Sequence, residues 1–309
     1  EISACLVGSE MCIRDSNMLN LYTHDPSLLS LEFWKAKARP LFGKYGGPDA
    51  VRDSVKRGLE ELAIPYLMNP KKPHPGAALV LSGSGALKKA IDHKHAGVFT
   101  KLCAGPNIVV DPSDHGGLLF DPAIDHILVP APWVANLWSK EAPELTDKIE
   151  AWASGVNRFI ISTRNGLPII YDKLGDTKLL GDIQHTIGPA SLFCYGKFRR
   201  EDYLSALSVA PYMVYLSRSE SQGLALQEAW AHDVPTLVNH STHWEAGGSS
   251  WDSPQINCPY LTPELGAVFT DPAEIPIMVK ELGKLSPKRY CDKHLSDRAS
   301  VEQLLNLIG

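Results

Sequence analysis

The chain reads as an α/β protein of two Rossmann-like domains facing across a cleft. Three observations predict this. Short apolar runs alternate with helical patterns along most of the sequence, the order that gives parallel sheets covered by helices. The alternation restarts near residue 157, which predicts one domain over 17–157 and a second over 158–309. With 309 residues, 44% hydrophobic and 21% charged, the chain can bury two ordinary cores, and it has no apolar run long enough to span a membrane.

In the first half, LNLYTHD (19–25) predicts a strand. The Gly46-Gly47-Pro48 turn opens a helix in which Val51, Val55, Leu59 and Leu62 recur at helical spacing. Asp49 falls in that helix's first turn, where the dipole favours a carboxylate. AALVLSG (77–83) is a strand ending in a glycine-rich turn that opens a helix. NIVVDP (107–112) and DHILVPAPW (125–133) read as strands ended by proline, and LTDKIEAWASG (145–155) as a helix stopped by Gly155.

In the second half the expected strands are LPIIYDK (167–173), ASLFCYG (190–196), YMVYLSRS (212–219) and VPTLVN (234–239). Helices are expected at EDYLSAL (201–207), QGLALQEAWAH (222–232), PAEIPIMVKELGKL (272–285) and DRASVEQLLNLI (297–308).

Residues 1–16, EISACLVGSEMCIRDS, read as an artefactual leader. LVGSEMCIRDS is a translation of DNA that resembles a transposase adapter used in sequencing libraries. Glu10, Arg14 and Asp15 interrupt the apolar core a signal peptide needs, so Met18 is the expected start. Without the leader the net charge moves from −5 to −3, because Glu1, Glu10 and Asp15 leave together with Arg14. The remaining cysteines, Cys103, Cys194, Cys258 and Cys291, show no CxxC spacing. They suggest a reducing cytoplasm and no zinc site. The near-neutral balance argues against nucleic acid as a partner.

The stretch richest in chemistry is SRSESQGLALQEAWAHDVPTL (217–237). A buried strand, a small-residue turn and a helix starting near Gly223 make a natural anion site, because free N–H groups and the helix dipole point at the ligand. Gly223 lets a phosphate approach the backbone. Glu220 sits in the turn at the carboxyl end of the strand, where open α/β sheets bind ligands, and Glu228 lies farther along the helix. Two separated carboxylates flanking a phosphate-binding turn suit a nucleotide sugar, one accepting from sugar hydroxyls and the other from ribose hydroxyls.

This stretch resembles the E-x7-E segment of retaining glycosyltransferases of the GT-B fold, in the large family numbered four. The likeness covers strand, turn, helix and next strand. It implies that Glu220 contacts the donor sugar, Glu228 the ribose, and the turn from Ser221 and Gln222 to the amides of Gly223 and Leu224 the diphosphate. It extends more weakly to the Gly46-Gly47-Pro48 turn, to LCAGPNIVVDPSD, to HILVPAPWVANLW and to WASGVN (152–157). Lys173, ending the second domain's first strand, occupies the usual place of a basic residue that binds donor phosphate. The chain departs from the pattern in lacking G-R-x-x-x-x-K-G after that strand, in a short segment over 158–166, and in Asp233 where a glycine is usual.

Other residues carry weaker signals. Lys178, Lys197 and Arg199 are further phosphate candidates, while Arg218 reads more plainly as the partner of a nearby acid. Gly83-Ser84-Gly85 lacks the third glycine of a dinucleotide fingerprint, since Lys88 stands there, so Gly83 reads as part of a tight turn beside the cleft, with Gly46 and Gly47 on the acceptor side. His115, in DPSDHGG, is a catalytic candidate in a loop, and DPSD lacks the D-x-D spacing of a metal site. From Lys35 to Arg57 seven Lys or Arg face only Asp49 and Asp53, with aromatics interleaved. Such a surface suits peripheral contact with anionic lipid at the inner face of a membrane.

The resemblance therefore implies a cytoplasmic transferase moving a sugar from a nucleotide-sugar donor to a hydroxyl acceptor, with no cofactor or metal. Its catalytic candidates are Glu220, Lys173 and His115. A GT-B sugar-nucleotide epimerase and a non-catalytic sugar-nucleotide-binding subunit are the alternatives.

Overall fold

A computed structural model describes residues 18–27, 29–38, 46–159, 163–246 and 249–309. The leader 1–16 and part of the basic stretch, including Arg39, Phe42, Lys44 and Tyr45, lie outside the described residues. The chain forms two compact units: one runs to Gly155 and takes back Ser300–Gly309, and the other is Val156–Ala299.

Among the described residues the first unit holds six parallel strands, β1 (Leu19–Tyr22), β2 (Tyr66–Met68), β3 (Gly76–Ser82), β4 (Phe99–Asn107), β5 (His126–Val129) and β6 (Ile149–Ala151), in the order β2-β1-β3-β4-β5-β6. Its helices are α1 (Leu31–Ala38), α2 (Gly47–Glu61), α3 (Ser84–His95) and α4 (Pro132–Glu141). The apolar face of α2 packs Val51, Val55 and Leu59 against Leu19, Leu21, Leu79 and Leu81 of the sheet. The last helix of the chain, α10 (Asp297–Ile308), adds Val301 and Leu304 to the same core. Trp152 Nε1 donates to Ser300 O (3.0 Å), and Ser300 Oγ to Ala153 O (2.7 Å), which fastens the returning chain.

Two expectations are corrected here. The strand expected at 107–112 lies earlier, at Phe99–Asn107. The helix expected at 145–155 is instead a short 3-10 turn over Pro143–Lys148 followed by β6. Pairing of Ile127 with Ile149 and of Val129 with Ala151 outweighs the local helical preference of that run.

The second unit is a five-stranded parallel sheet of β7 (Ile169–Asp172), β8 (Ser191–Cys194), β9 (Met213–Leu216), β10 (Thr236–Asn239) and β13 (Gly266–Phe269), ordered β13-β10-β9-β7-β8. Between β10 and β13 the chain makes an antiparallel hairpin, β11 (His243–Ala246) and β12 (Ser249–Asp252), in which Trp244 pairs with Trp251. Helices α5 (Thr177–Ile187), α6 (Arg200–Leu207), α7 (Leu224–Ala231), α8 (Ile275–Leu282) and α9 (Pro287–His294) complete it. Because β7 neighbours both β8 and β9, the chain direction across the sheet reverses between β7 and β9. In doubly wound sheets ligands bind at the carboxyl edge of that reversal.

Candidate functional site

The β7/β9 reversal places Lys173 and Glu220 together. Lys173 follows β7, and its backbone N–H donates to Leu216 O of β9 (2.9 Å). Its ammonium lies 2.5 Å from Glu220 Oε1 and 4.8 Å from the centre of the Tyr195 ring. The residue as a whole is exposed, yet the lysine side chain is only 26% exposed and that of Glu220 only 5%. The same Oε1 accepts from Tyr215 Oη at 2.7 Å. Burial, and then the Glu220 carboxylate, hold that phenol well above the ordinary tyrosine value. The same two causes push the Cys258 thiol up.

Two asparagines shape the turn that carries Glu220. Ser217 N donates to Asn239 Oδ1 at the end of β10 (2.8 Å), and Asn257 Nδ2 donates to Ser217 O (2.8 Å). Glu220 N donates to Asn257 O (2.9 Å). The hairpin braces the outer side: Ser219 Oγ donates to Glu245 O (2.8 Å), and Arg218 Nη1 binds Glu245 Oε2 (2.6 Å). Arg218 is thus the partner of an acid, as its plainer reading held.

Gly223 caps α7 in the left-handed region, at φ +69°, which only glycine adopts without strain. A β-carbon there would stand 3.3 Å from Leu226 Cδ1. Gly223 has no side chain to cap the helix, and the first N–H groups of α7, starting at Leu224, have no partner within the helix. Ser221 is exposed in the turn, and Gln222 is buried with its Nε2 lacking a hydrogen-bond partner among the described residues.

Glu228 lies on α7 with its side chain 12% exposed, bound by Nε (3.0 Å) and Nη2 of Arg200. Arg199, expected from the sequence as a phosphate contact, is exposed and pairs with Glu201 at 3.6 Å. Arg199 is the N-cap of α6 and Arg200 its first residue, so the helix start decides which guanidinium reaches Glu228. Lys178 and Lys197 are exposed, and the start of α5 is already capped by Asp176, which accepts from Lys178 N and Leu179 N (3.0 Å each).

Asp233, the departure from glycine, adopts φ +62°. Its carboxylate is bound by Arg164, by Ser286 Oγ (3.1 Å) and by Lys288 N at the start of α9 (3.0 Å). Aspartate here exchanges conformational ease for three ties.

The remaining predicted residues belong to the first unit. Gly83, at φ +94°, caps α3, and Glu32 closes that turn by accepting from Gly85 N (2.8 Å) and Asp25 N (2.9 Å). The anion position of this turn is therefore filled by the protein's own carboxylate. Gly46 caps α2, with Gly46 N donating to Asp49 Oδ2 (3.1 Å), and Gly47 opens the helix. His115 is exposed in a turn at φ +54°. In the basic stretch Arg52 binds Asp49 (3.0 Å) and Asp53 (2.7 Å) within α2. Among the described residues no helix is long and apolar enough to cross a membrane.

No protein-family model and no curated protein matches the chain. Its fold is similar to solved structures. The lipopolysaccharide outer core galactosyltransferase WaaB, in its apo form, matches over 94% of this chain and 98% of its own, at 11% identity and a TM-score of 0.52. Sucrose-phosphate synthase from Thermosynechococcus elongatus matches over the same shares, at 10% identity and a TM-score of 0.52. A chain of the accessory secretory protein 1,2 and 3 structure from Streptococcus pneumoniae matches over 75% of this chain and 52% of its own, at 12% identity and a TM-score of 0.51. The chain thus spans nearly all of the first two and about half of the third. The likeness places the chain in the GT-B kind of α/β fold, with two Rossmann-like domains.

Proposed function

We propose that the second unit binds a nucleotide sugar and that the protein transfers the sugar to a hydroxyl acceptor with retention at the anomeric carbon. The observation that carries this is the meeting of Lys173 and Glu220 at the β7/β9 reversal, beside the open N-terminus of α7. Lys173 and the first amides of α7 take the charge of the departing diphosphate, which supplies transition-state stabilisation without a metal. Glu220 accepts from the donor sugar's hydroxyls, and Glu228, oriented by Arg200, from the ribose. Gln222 Nε2 is a further donor for this ligand. Catalysis then rests on positioning and leaving-group stabilisation, since no protein nucleophile is invoked. The likeness of fold to solved glycosyltransferases supports the reading, as does the E-x7-E resemblance.

The test is incubation of the protein with UDP-, GDP-, ADP- and CMP-sugars, with release of nucleotide and the fate of the sugar both measured. Release with one donor, lowered in Glu220→Ala, is the expected result. Conversion of the donor to its epimer supports the epimerase alternative. Binding without turnover supports a non-catalytic subunit.

A further inference from the structure

Tyr215 belongs to no recognition pattern in the sequence. Its strand neighbours Val214 and Leu216 face the apolar core shared with Ile183 of α5 and Ile275 of α8. The two-residue alternation of β9 therefore turns Tyr215 to the opposite face. There it stacks on Tyr171, its register partner on β7, with ring centres 5.1 Å apart and planes at 14°. Phenylalanine would fill such a layer, as Phe193 and Phe198 do around Tyr203. The hydroxyl needs a reason of its own, because burying it costs free energy unless it is paired.

Its partner is Glu220 Oε1, at 2.7 Å. Tyr215 is 1% exposed and Glu220 4%, so the bond lies away from solvent. With its titration pushed well above the ordinary range by burial and by the carboxylate, the phenol keeps its proton and remains a donor. Lys173 shares the same oxygen, but from a partly exposed and flexible side chain. In the reading proposed above Lys173 also serves the donor's phosphates. Of these two contacts the phenol is the rigid one, fixed by the strand and the stacked ring.

We propose that Tyr215 is a positioning residue for Glu220: its hydroxyl fixes the carboxylate in the orientation that recognises the donor sugar. The sugar's part in this rests on the nucleotide-sugar reading, while the hold on Glu220 does not. Two measurements keep these apart. The first needs no ligand. Infrared difference spectra against the corresponding Glu220→Gln proteins isolate the Glu220 carboxylate band in wild type, Tyr215→Phe and a protein with 3-fluorotyrosine at 215. Loss of the donor should move the antisymmetric stretch one way, and the stronger fluorophenol donor should move it the other. The fluorinated protein keeps the shape of the site, so it reports even where Tyr215→Phe folds poorly. An unchanged band in all three overturns the proposal.

The second measurement is calorimetric binding of UDP, GDP, ADP, UDP-glucose, GDP-mannose and ADP-glucose. Tyr215→Phe should keep bare-nucleotide affinity within about twofold and lose about fivefold or more of what the sugar adds, the worth of one hydrogen bond. Equal loss with and without the sugar marks a merely structural residue and overturns the sugar-recognition role. If wild type binds none of the six and no CMP-sugar either, the nucleotide-sugar reading fails, and the infrared result alone decides whether the phenol holds Glu220.

Discussion

Arg200 holds Glu228 through Nε at 3.0 Å and through Nη2, joining the first residue of α6 to the middle of α7. The guanidinium side chain is 40% exposed. Solvent screening therefore limits what the pair adds to stability, to about 0–1 kcal/mol. Its weight falls on orienting the carboxylate. Glu228→Gln should weaken nucleotide binding by about 10- to 100-fold, the worth of a hydrogen bond to a charged group. Arg200→Met should weaken it by about 3- to 10-fold while leaving the denaturant midpoint nearly unchanged. Calorimetry on both variants checks this; a stability loss without an affinity loss would make the pair a structural strut.

Lys173→Met removes the cation from a carboxylate that stays buried. Losing one partner of a fully buried pair costs about 3–5 kcal/mol, and the partial exposure of Lys173 and the surviving Tyr215 bond reduce this to about 1–3 kcal/mol. Lys173→Met with Glu220→Gln should recover at least half of the loss. Urea unfolding of the four proteins in the cycle measures the coupling, and simple additivity would show that the two side chains do not act as a pair.

Asp233→Ala and Asp233→Gly both cut the ties to Arg164, Ser286 and Lys288. Only alanine keeps the left-handed strain at φ +62°. Asp233→Gly should therefore be the more stable of the two by about 1 kcal/mol. Equal stabilities would mean that the backbone relaxes away from this conformation.

His232 stacks on Phe159 with ring centres 3.9 Å apart and donates from Nδ1 to Glu228 O (2.7 Å). Burial holds its titration below the ordinary histidine value, and the charges of Lys288 and Arg200 add to this. As pH falls, the unfolded chain takes up the proton first, near pH ~6.5, while the folded protein resists it. The contribution to stability is thus present above the unfolded value and is lost on acidification. His232→Phe, which keeps a ring against Phe159, should flatten the fall in stability between about pH 6.5 and 5. An unchanged slope would assign that fall to other groups.

The second unit was the more legible in sequence. Its central strands are buried along their length and carry the apolar runs IIY, MVYL and LV, and glycine at 223 marks the start of α7. Strand β4 was displaced because FTKLCAGPN carries lysine, glycine and proline, which hide a buried strand whose pairing comes from neighbours remote in sequence. The return of α10 to the first unit is likewise a long-range contact that no local pattern encodes. Around the candidate site, the places of Glu220, Lys173 and Gly223 in turn, strand end and helix start were readable because such features are local. Arg200 and Tyr215 were not. Which of two adjacent arginines reaches Glu228 depends on where a helix starts, and which face of β9 meets Glu220 depends on the path of the turn after it.

The central claim is tested most directly by thermal unfolding of the full chain with UDP, GDP, ADP and CMP, each alone, for wild type and Glu228→Ala. A nucleotide at about 100 times its dissociation constant adds about 2.7 kcal/mol. Each kcal/mol corresponds to roughly 2–4 °C for a protein of this size. The expected result is a rise of several degrees with one nucleotide in wild type, lost in Glu228→Ala. No rise with any of the four would contradict a nucleotide site at the β7/β9 edge and leave a GT-B fold put to another use.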